Sequence, residues 1–312
     1  MINFYKTEDG VLRKIDGMCH DCWVSVIAPT EEEIVRLKTE FSISGEFISA
    51  ALDEEEAARI ETEDGQTLII MDIPFADRSE ENEVYTTMPI GIITTSECIM
   101  TISLRENIVL RDMTAGLVKN VNTKYKTEFV LYMLQRMAAR FLQYLRQIDK
   151  RTSHMEKLLR KSMRNKELIQ LMDLQKSLVY FQTSLKSNES NLGRIMRGRY
   201  IKMYEDDQDL LEDVLIELKQ AIEMCDIYSS ILSGTMDAFA SVISNNLNIV
   251  MKLLASITII MAIPTMVFSF YGMNIGTESG TLPFAGTIWV PLAVSVVATF
   301  IAGVILYKKD LF

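Results

Sequence analysis

Residues 253–274 read LLASITIIMAIPTMVFSFYGMN, and residues 284–307 read FAGTIWVPLAVSVVATFIAGVILY. Each apolar run is long enough to cross a hydrocarbon core of ~30 Å, which takes roughly 20 residues at helical rise. Lys252 abuts the first run, and Lys308 with Lys309 closes the second. The connection 272–283 holds no Lys or Arg and one charge, Glu278. Positive residues beside a span stay in the cytoplasm, so the connection is expected outside and both termini inside. Residues 1–17 have no apolar core, so the first run is expected to direct insertion itself.

The preceding 250 residues are charged and amphipathic, and are expected in water on the cytoplasmic side. Four cysteines in 312 residues (Cys19, Cys22, Cys98, Cys225) suggest free thiols rather than a disulfide framework. Residues 1–126 carry 24 Asp+Glu against 12 Lys+Arg, and the remainder 18 against 20. An acidic surface repels nucleic acid and concentrates cations.

Pro29, Pro74 and Pro89 punctuate the first 90 residues, and the next proline is Pro264. Long helices need such a gap. Before it the chain reads as mixed α/β, with β-rich runs at 23–27, 67–75 and 90–104. Thr30 and Glu33 form a capping box for one helix, and 53–59 reads as a second, strongly acidic one. From 127 the period becomes helical. Phe129, Met133, Met137, Phe141, Leu145 and Ile148 mark one stalk helix, and Leu168, Leu171, Leu174, Leu178, Phe181 and Leu185 mark its antiparallel neighbour. A third begins near Asp209 and meets no stop before Tyr271-Gly272, about 62 residues or ~90 Å of helix.

Stepping by seven along this third helix gives Asp237, Ser244, Met251, Thr258, Thr265 and Gly272, and a parallel track gives Ser241, Asn248, Ala255, Ala262 and Ser269. Such a small and polar stripe either lets helices pack closely or lines water. Its continuation into the cytoplasmic part favours water, because polar seams are poor coiled-coil glue. One chain with two spans cannot enclose a lumen, so this reading requires a cyclic homo-oligomer.

Tyr271-Gly272-Met273-Asn274, directly after the first of two carboxyl-terminal spans, resembles the signature of the CorA magnesium transport family. The order of acidic α/β domain, long helix, two spans, short loop and basic end is similar throughout. The resemblance implies an α+β membrane protein of the plasma membrane. It would have a cytoplasmic acidic α/β domain (1–126), a helical stalk (127–250), a pore-lining span (251–271), an outer loop (272–283), a second span facing lipid (284–307) and a basic tail (308–312). It also implies a homopentamer.

In that reading Gly272, Met273 and Asn274 form the selectivity filter. Neutral Asn274 carbonyl oxygens would accept hydrogen bonds from the tightly held water shell of Mg2+ without trapping the ion. Thr265 would add a polar ring, with Thr258 on the same stripe. Leu254 and Met251 would form a hydrophobic constriction, and Asn248 and Asp237 a cytoplasmic continuation. Asp213 would bind regulatory Mg2+ that holds the pore closed, with Asp53, Glu54, Glu55 and Glu56 as candidate partners. The resemblance implies no resident cofactor, Mg2+ being both substrate and regulatory ligand, with Co2+ or Ni2+ as passengers.

Two features depart from the family pattern. Ala262 stands where a bulky apolar residue is typical, with Pro264 inside the span. The loop after Asn274 keeps only Glu278 to attract cations. Two alternatives remain: a zinc transporter of the same fold, whose usual sign is Ile at position 273, and a membrane-anchored sensor that does not conduct. Cys19-His20-Asp21-Cys22 has a zinc-knuckle gap without a second pair, and reads as a turn between strands. His154 is the only other histidine. No hydrolytic triad and no phosphate-binding GxxxxGK loop can be assembled, so an enzyme is not expected.

Overall fold

The computed structural model describes residues 1–78, 83–162, 165–197, 200–201, 203–273 and 288–309. The chain divides into two compact units, Met1–Gly234 and Thr235–Phe312.

In the first unit β1 (Ile2–Glu8), β2 (Val11–Ile15), β3 (Trp23–Ile27), β4 (Ile60–Glu63), β5 (Gln66–Arg78), β6 (Glu83–Thr94) and β7 (Ile99–Ser103) form one sheet, ordered β2-β1-β3-β7-β6-β5-β4. Only β3 and β7 pair in parallel. All five residues of β7 are buried, as a central strand covered on both faces requires. The apolar run 90–104 is two strands rather than one. Thr95 Oγ1 accepts from the N–H groups of Glu97 (3.2 Å) and Cys98 (3.0 Å), folding a polar turn between them.

One face is covered by α1 (Glu31–Thr39) and α2 (Gly45–Ala51), with Phe47 and Ile48 set among Val24, Val26, Leu68, Ile70, Met100 and Ile102. Thr30 and Glu33 cap α1 reciprocally, as their spacing predicts. A Cβ on Gly91 would lie 2.4 Å from that of Ala51, so α2 approaches β6 only because position 91 lacks a side chain. Residues 53–59 are not a helix. They form a turn and an extended lead into β4, with Asp53 Oδ1 accepting from Glu55 N at 3.0 Å. Four consecutive carboxylates repel within one helical turn, whereas α2 buries Phe47, Ile48, Ala50 and Ala51.

The opposite face carries α4 (Lys126–Ser162) and α5 (Asn165–Met196), with α3 (Ile108–Thr114) beside α4. Trp23 packs on Phe129 at 5.3 Å between centroids, and its Nε1 donates to Thr101 Oγ1 at 3.0 Å. Buried Asp112 of α3 accepts from Arg136 (2.8 Å) and Arg140 (2.5 Å) of α4. The apolar stripe of α5 is interleaved with buried Ser177, Ser184, Asn188 and Asn191, which hydrogen-bond to groups of β5 and β6. Asn188 donates to Asp72 O (2.7 Å) and accepts from Asp72 N (2.9 Å), taking the place of a strand where β4 has ended. Asn191 donates to Ile70 O at 3.2 Å, and Ser177 Oγ accepts from Tyr85 N at 3.2 Å.

Helix α6 runs from Glu205 to Tyr271 and α7 from Trp289 to Lys308. Within the first unit α6 buries Leu211, Val214, Leu218, Ala221 and Cys225 at steps of three and four, and Leu232 seven residues further on, the seam of a packed helix. Cys225 Sγ donates to Leu178 O of α5 at 3.2 Å. Both helices contain an apolar stretch, an 18-residue segment of mean hydropathy 2.1 in α6 and 2.3 in α7.

Removing the Asn188 amide takes the partner from both backbone groups of half-buried Asp72. Asn188→Ala is expected to cost roughly 2–4 kcal/mol in a denaturant titration of the purified protein. Ser190→Ala, on the exposed side of the same helix, should stay within about 0.5 kcal/mol of the parent.

Candidate functional site

The stripe expected to face a pore lies on α6 in the second unit. Asp237, Asn248, Met251, Leu254, Thr258 and Thr265 are all exposed. Ser256, on another side of the helix, is buried, and Ile260, Ile263, Pro264 and Val267 are half-buried. Along α7, Pro291, Ser295 and Leu306 are buried. Small and polar residues thus occur on both sides of α6. Those expected to line water are the exposed ones.

The hydroxyls on this face share a chemistry. Ser241 Oγ donates to Asp237 O (3.0 Å), Thr258 Oγ1 to Leu254 O (2.8 Å) and Thr265 Oγ1 to Met261 O (3.1 Å). With the proton committed to the helix, each oxygen turns its lone pairs outward and presents an acceptor. An acceptor suits the protons of water around a cation. Leu254, Thr258, Ala262, Thr265 and Ser269 also line a shallow concavity of ≈710 Å³ on this face. Pro264 lies inside the same helix, and having no N–H it leaves Ile260 O without its usual intrahelical donor.

Tyr271 ends α6. Gly272 N donates to Phe268 O at 2.9 Å, and a Cβ at 272 would press on that same oxygen at 3.2 Å, so glycine suits a closely wound helix end. Met273 is exposed. Asn274 and Glu278 lie outside the described residues.

Asp213 is exposed on the first-unit part of α6, as are Asp206, Asp209 and Glu212. Asp207 is buried and accepts from Tyr204 N at 2.9 Å, so it serves the start of the helix. Among the candidate partner carboxylates, Glu54 pairs with Arg105 (3.6 Å) and Glu56 with Arg59 (3.2 Å). Among the described residues of the single chain, no three metal-ligating side chains converge.

The sequence reading passed over Glu217, one turn beyond Asp213. One of its carboxylate oxygens is buried without a hydrogen-bond partner. Burial pushes its pKa up, a hydrogen bond from Gln135 works against this, and the charge of Asp213 adds to the rise. Its four-residue offset from Asp213 was the available signal, since that spacing places two carboxylates on one helical face. Glu128 behaves similarly. Its pKa is raised first by burial and then by Asp207 and Asp206, against a hydrogen bond from Tyr132.

The arrangement defines a class: a membrane protein whose α/β body is followed by a long helix and two apolar spans, the first carrying an unpaired polar face. The chain belongs to the CorA family, matching the model described as CorA-like Mg2+ transporter protein over residues 20–308. The family is one of divalent-cation transporters, not enzymes. A curated relative, the cobalt/magnesium transport protein CorA of Methanocaldococcus jannaschii, is 26% identical over 89% of this chain and 87% of its own length. The complete structure of the CorA magnesium transporter from M. jannaschii shares the fold with a TM-score of 0.85 at 23% identity, covering 100% of this chain and 99% of that one. The full-length CmaX protein also shares it, with a TM-score of 0.72 at 16% identity over 100% of this chain and 97% of that one.

A carboxyl group whose pKa is raised by folding binds its proton more tightly in the folded state. Stability is therefore lost as pH rises from the unfolded value, ~4.3, toward the folded one. Glu217→Gln is expected to match the parent melting temperature near pH 4 and to exceed it by roughly 1–3 °C at neutral pH. Equal melting temperatures at both pH values would remove Glu217 as a site of stored repulsion.

Proposed function

We propose that copies of this chain assemble as a homopentamer in the plasma membrane, with both termini in the cytoplasm, and that α6 of each copy lines a central Mg2+ channel. One observation carries the reading. Every residue from 240 to 255 of α6 is exposed in the single chain, Val242, Ile243, Leu247, Ile249 and Val250 among them. Such a helix needs other helices, and a cyclic assembly supplies them while giving the polar stripe an axis to face.

Mg2+ is costly to dehydrate, so it enters with its water shell, and a ring of Asn274 amides reads that shell through carbonyl oxygens. The outward acceptors of Thr265 and Thr258 repeat the contact further in. Leu254 and Met251 close the path by dewetting when the ring is narrow. Asn248 and Asp237 continue the path toward the cytoplasm, and the inside-negative potential drives the flow. Co2+ and Ni2+, of the same charge, are passengers, in keeping with the relative named for cobalt and magnesium. Glu278 supplies a weak electrostatic lure at the mouth.

Intracellular Mg2+ bound at Asp213 between neighbouring subunits relieves carboxylate repulsion, and so favours the closed arrangement. Glu217 adds to that repulsion. Met273, where Ile would mark the zinc-handling branch, favours magnesium over zinc.

Asn274→Ala is expected to lower Mg2+ uptake into proteoliposomes at least ~10-fold while the oligomer elutes unchanged. Parent vesicles loaded with Mg2+ should take up less than empty ones, and Asp213→Ala should reduce that difference. Unchanged uptake by Asn274→Ala would leave the chain as a sensor that does not conduct.

A further inference from the structure

Three thiols meet where β3 and β7 begin. Cys22 precedes β3 and Cys98 precedes β7, strands that run parallel with Trp23 opposite Ile99. Ile99 N donates to Cys22 O at 3.1 Å, so the two cysteines sit side by side. Cys19 stands three residues before Cys22 across the turn His20-Asp21. Asp21 holds this turn at φ 59 and donates its N–H to Glu97 O at 2.8 Å. A four-residue turn brings its end Cα atoms within ~7 Å, and disulfides span 4.4 to 6.8 Å, roughly the same range.

Accessibility separates the three. Cys22 and Cys98 are fully buried, and Thr95 Oγ1 lies 3.7 Å from Cys98 Sγ. Cys19 alone is partly exposed. Burial pushes the Cys22 thiol up to about 11, which leaves Cys19 to meet a reagent from solvent first.

We propose that Cys19 and Cys22 are a redox pair, converted to an intrachain disulfide by a small disulfide oxidant of the glutathione disulfide type. The Cys19 thiolate attacks one sulfur of the oxidant, whose S–S bond breaks and releases one glutathione thiolate. Cys22 then attacks the Cys19 sulfur of the mixed disulfide, its proton passing to the second glutathione sulfur, which leaves as a thiol. Two protein thiols are oxidised, and one glutathione disulfide is reduced to two thiols. The pairing is specific because the turn sets Cys19 against Cys22, while Cys98 is held beneath by Thr95. Neither step uses the ion path.

The full-length protein, freed of reductant and incubated with glutathione disulfide, would be denatured in N-ethylmaleimide and digested with trypsin. Cleavage after Lys14 and Arg36 leaves Cys19 and Cys22 on one peptide, 15–36, with Cys98 and Cys225 on others. The expected result is a 15–36 peptide lighter by two hydrogens and free of label, with Cys98 and Cys225 labelled. In Cys19→Ser, Cys22 should carry the label. A Cys22–Cys98 link, glutathione retained on Cys19 alone, or full labelling of 15–36 while a reference dithiol is oxidised would each overturn the proposal.

Discussion

A helix that leaves its folded body with apolar and polar faces equally bare is unstable by itself in water, and this constraint governs the rest of the molecule. In the first unit α6 is held by a buried seam from Leu211 to Leu232. From residue 240 to 255 that support is gone, although the helix continues to Tyr271. Bare Ile249, Val250 and Leu253 ask for apolar neighbours, whereas Asn248 and Thr258 ask for water or acceptors. Identical copies around an axis satisfy both demands at once. A single partner helix satisfies only one.

The first unit is braced by polar as well as apolar contacts. Its sheet is covered on both faces, and α5 is bonded to strand backbone groups through Asn188, Asn191 and Ser177. Buried polar contacts of this kind fix register more sharply than apolar packing, because a shifted helix would strand several donors at once. The carboxylates around Asp213 and Glu217 sit on the same α6 that continues toward the spans. Asp213 and Glu217 therefore share one continuous helix with the exposed polar residues of the second unit.

Much of this was legible in the residues. The two spans, the capping box at Thr30, strand 23–27 and the uninterrupted third helix all follow from period and punctuation, and all are present. Strands β1 and β2 were missed because Val11–Ile15 is the edge strand and Ile2–Glu8 its neighbour, both without full burial and without the long apolar runs of the central strands. The run 90–104 hid its turn, since Thr95 and Ser96 are polar in a way strands also tolerate. The acidic stretch 53–59 has helical composition, yet it lost to electrostatic repulsion and to the better apolar face of α2. The polar residues of α5 and the buried oxygen of Glu217 depend on what packs against them in three dimensions, and no periodicity reveals that. Asn274 rests on the motif alone, and Glu278 on being the one charge of the connection.

The central claim is that one face of α6 meets water along the axis of an oligomer. It is tested most directly by placing single cysteines at positions 251 to 267 in a chain whose four native cysteines have been replaced, then measuring Mg2+ uptake before and after a water-soluble thiol reagent. The account predicts block at 251, 254, 258 and 265 and none at 256, 260, 263 or 267. Block at the second set with none at the first would contradict it.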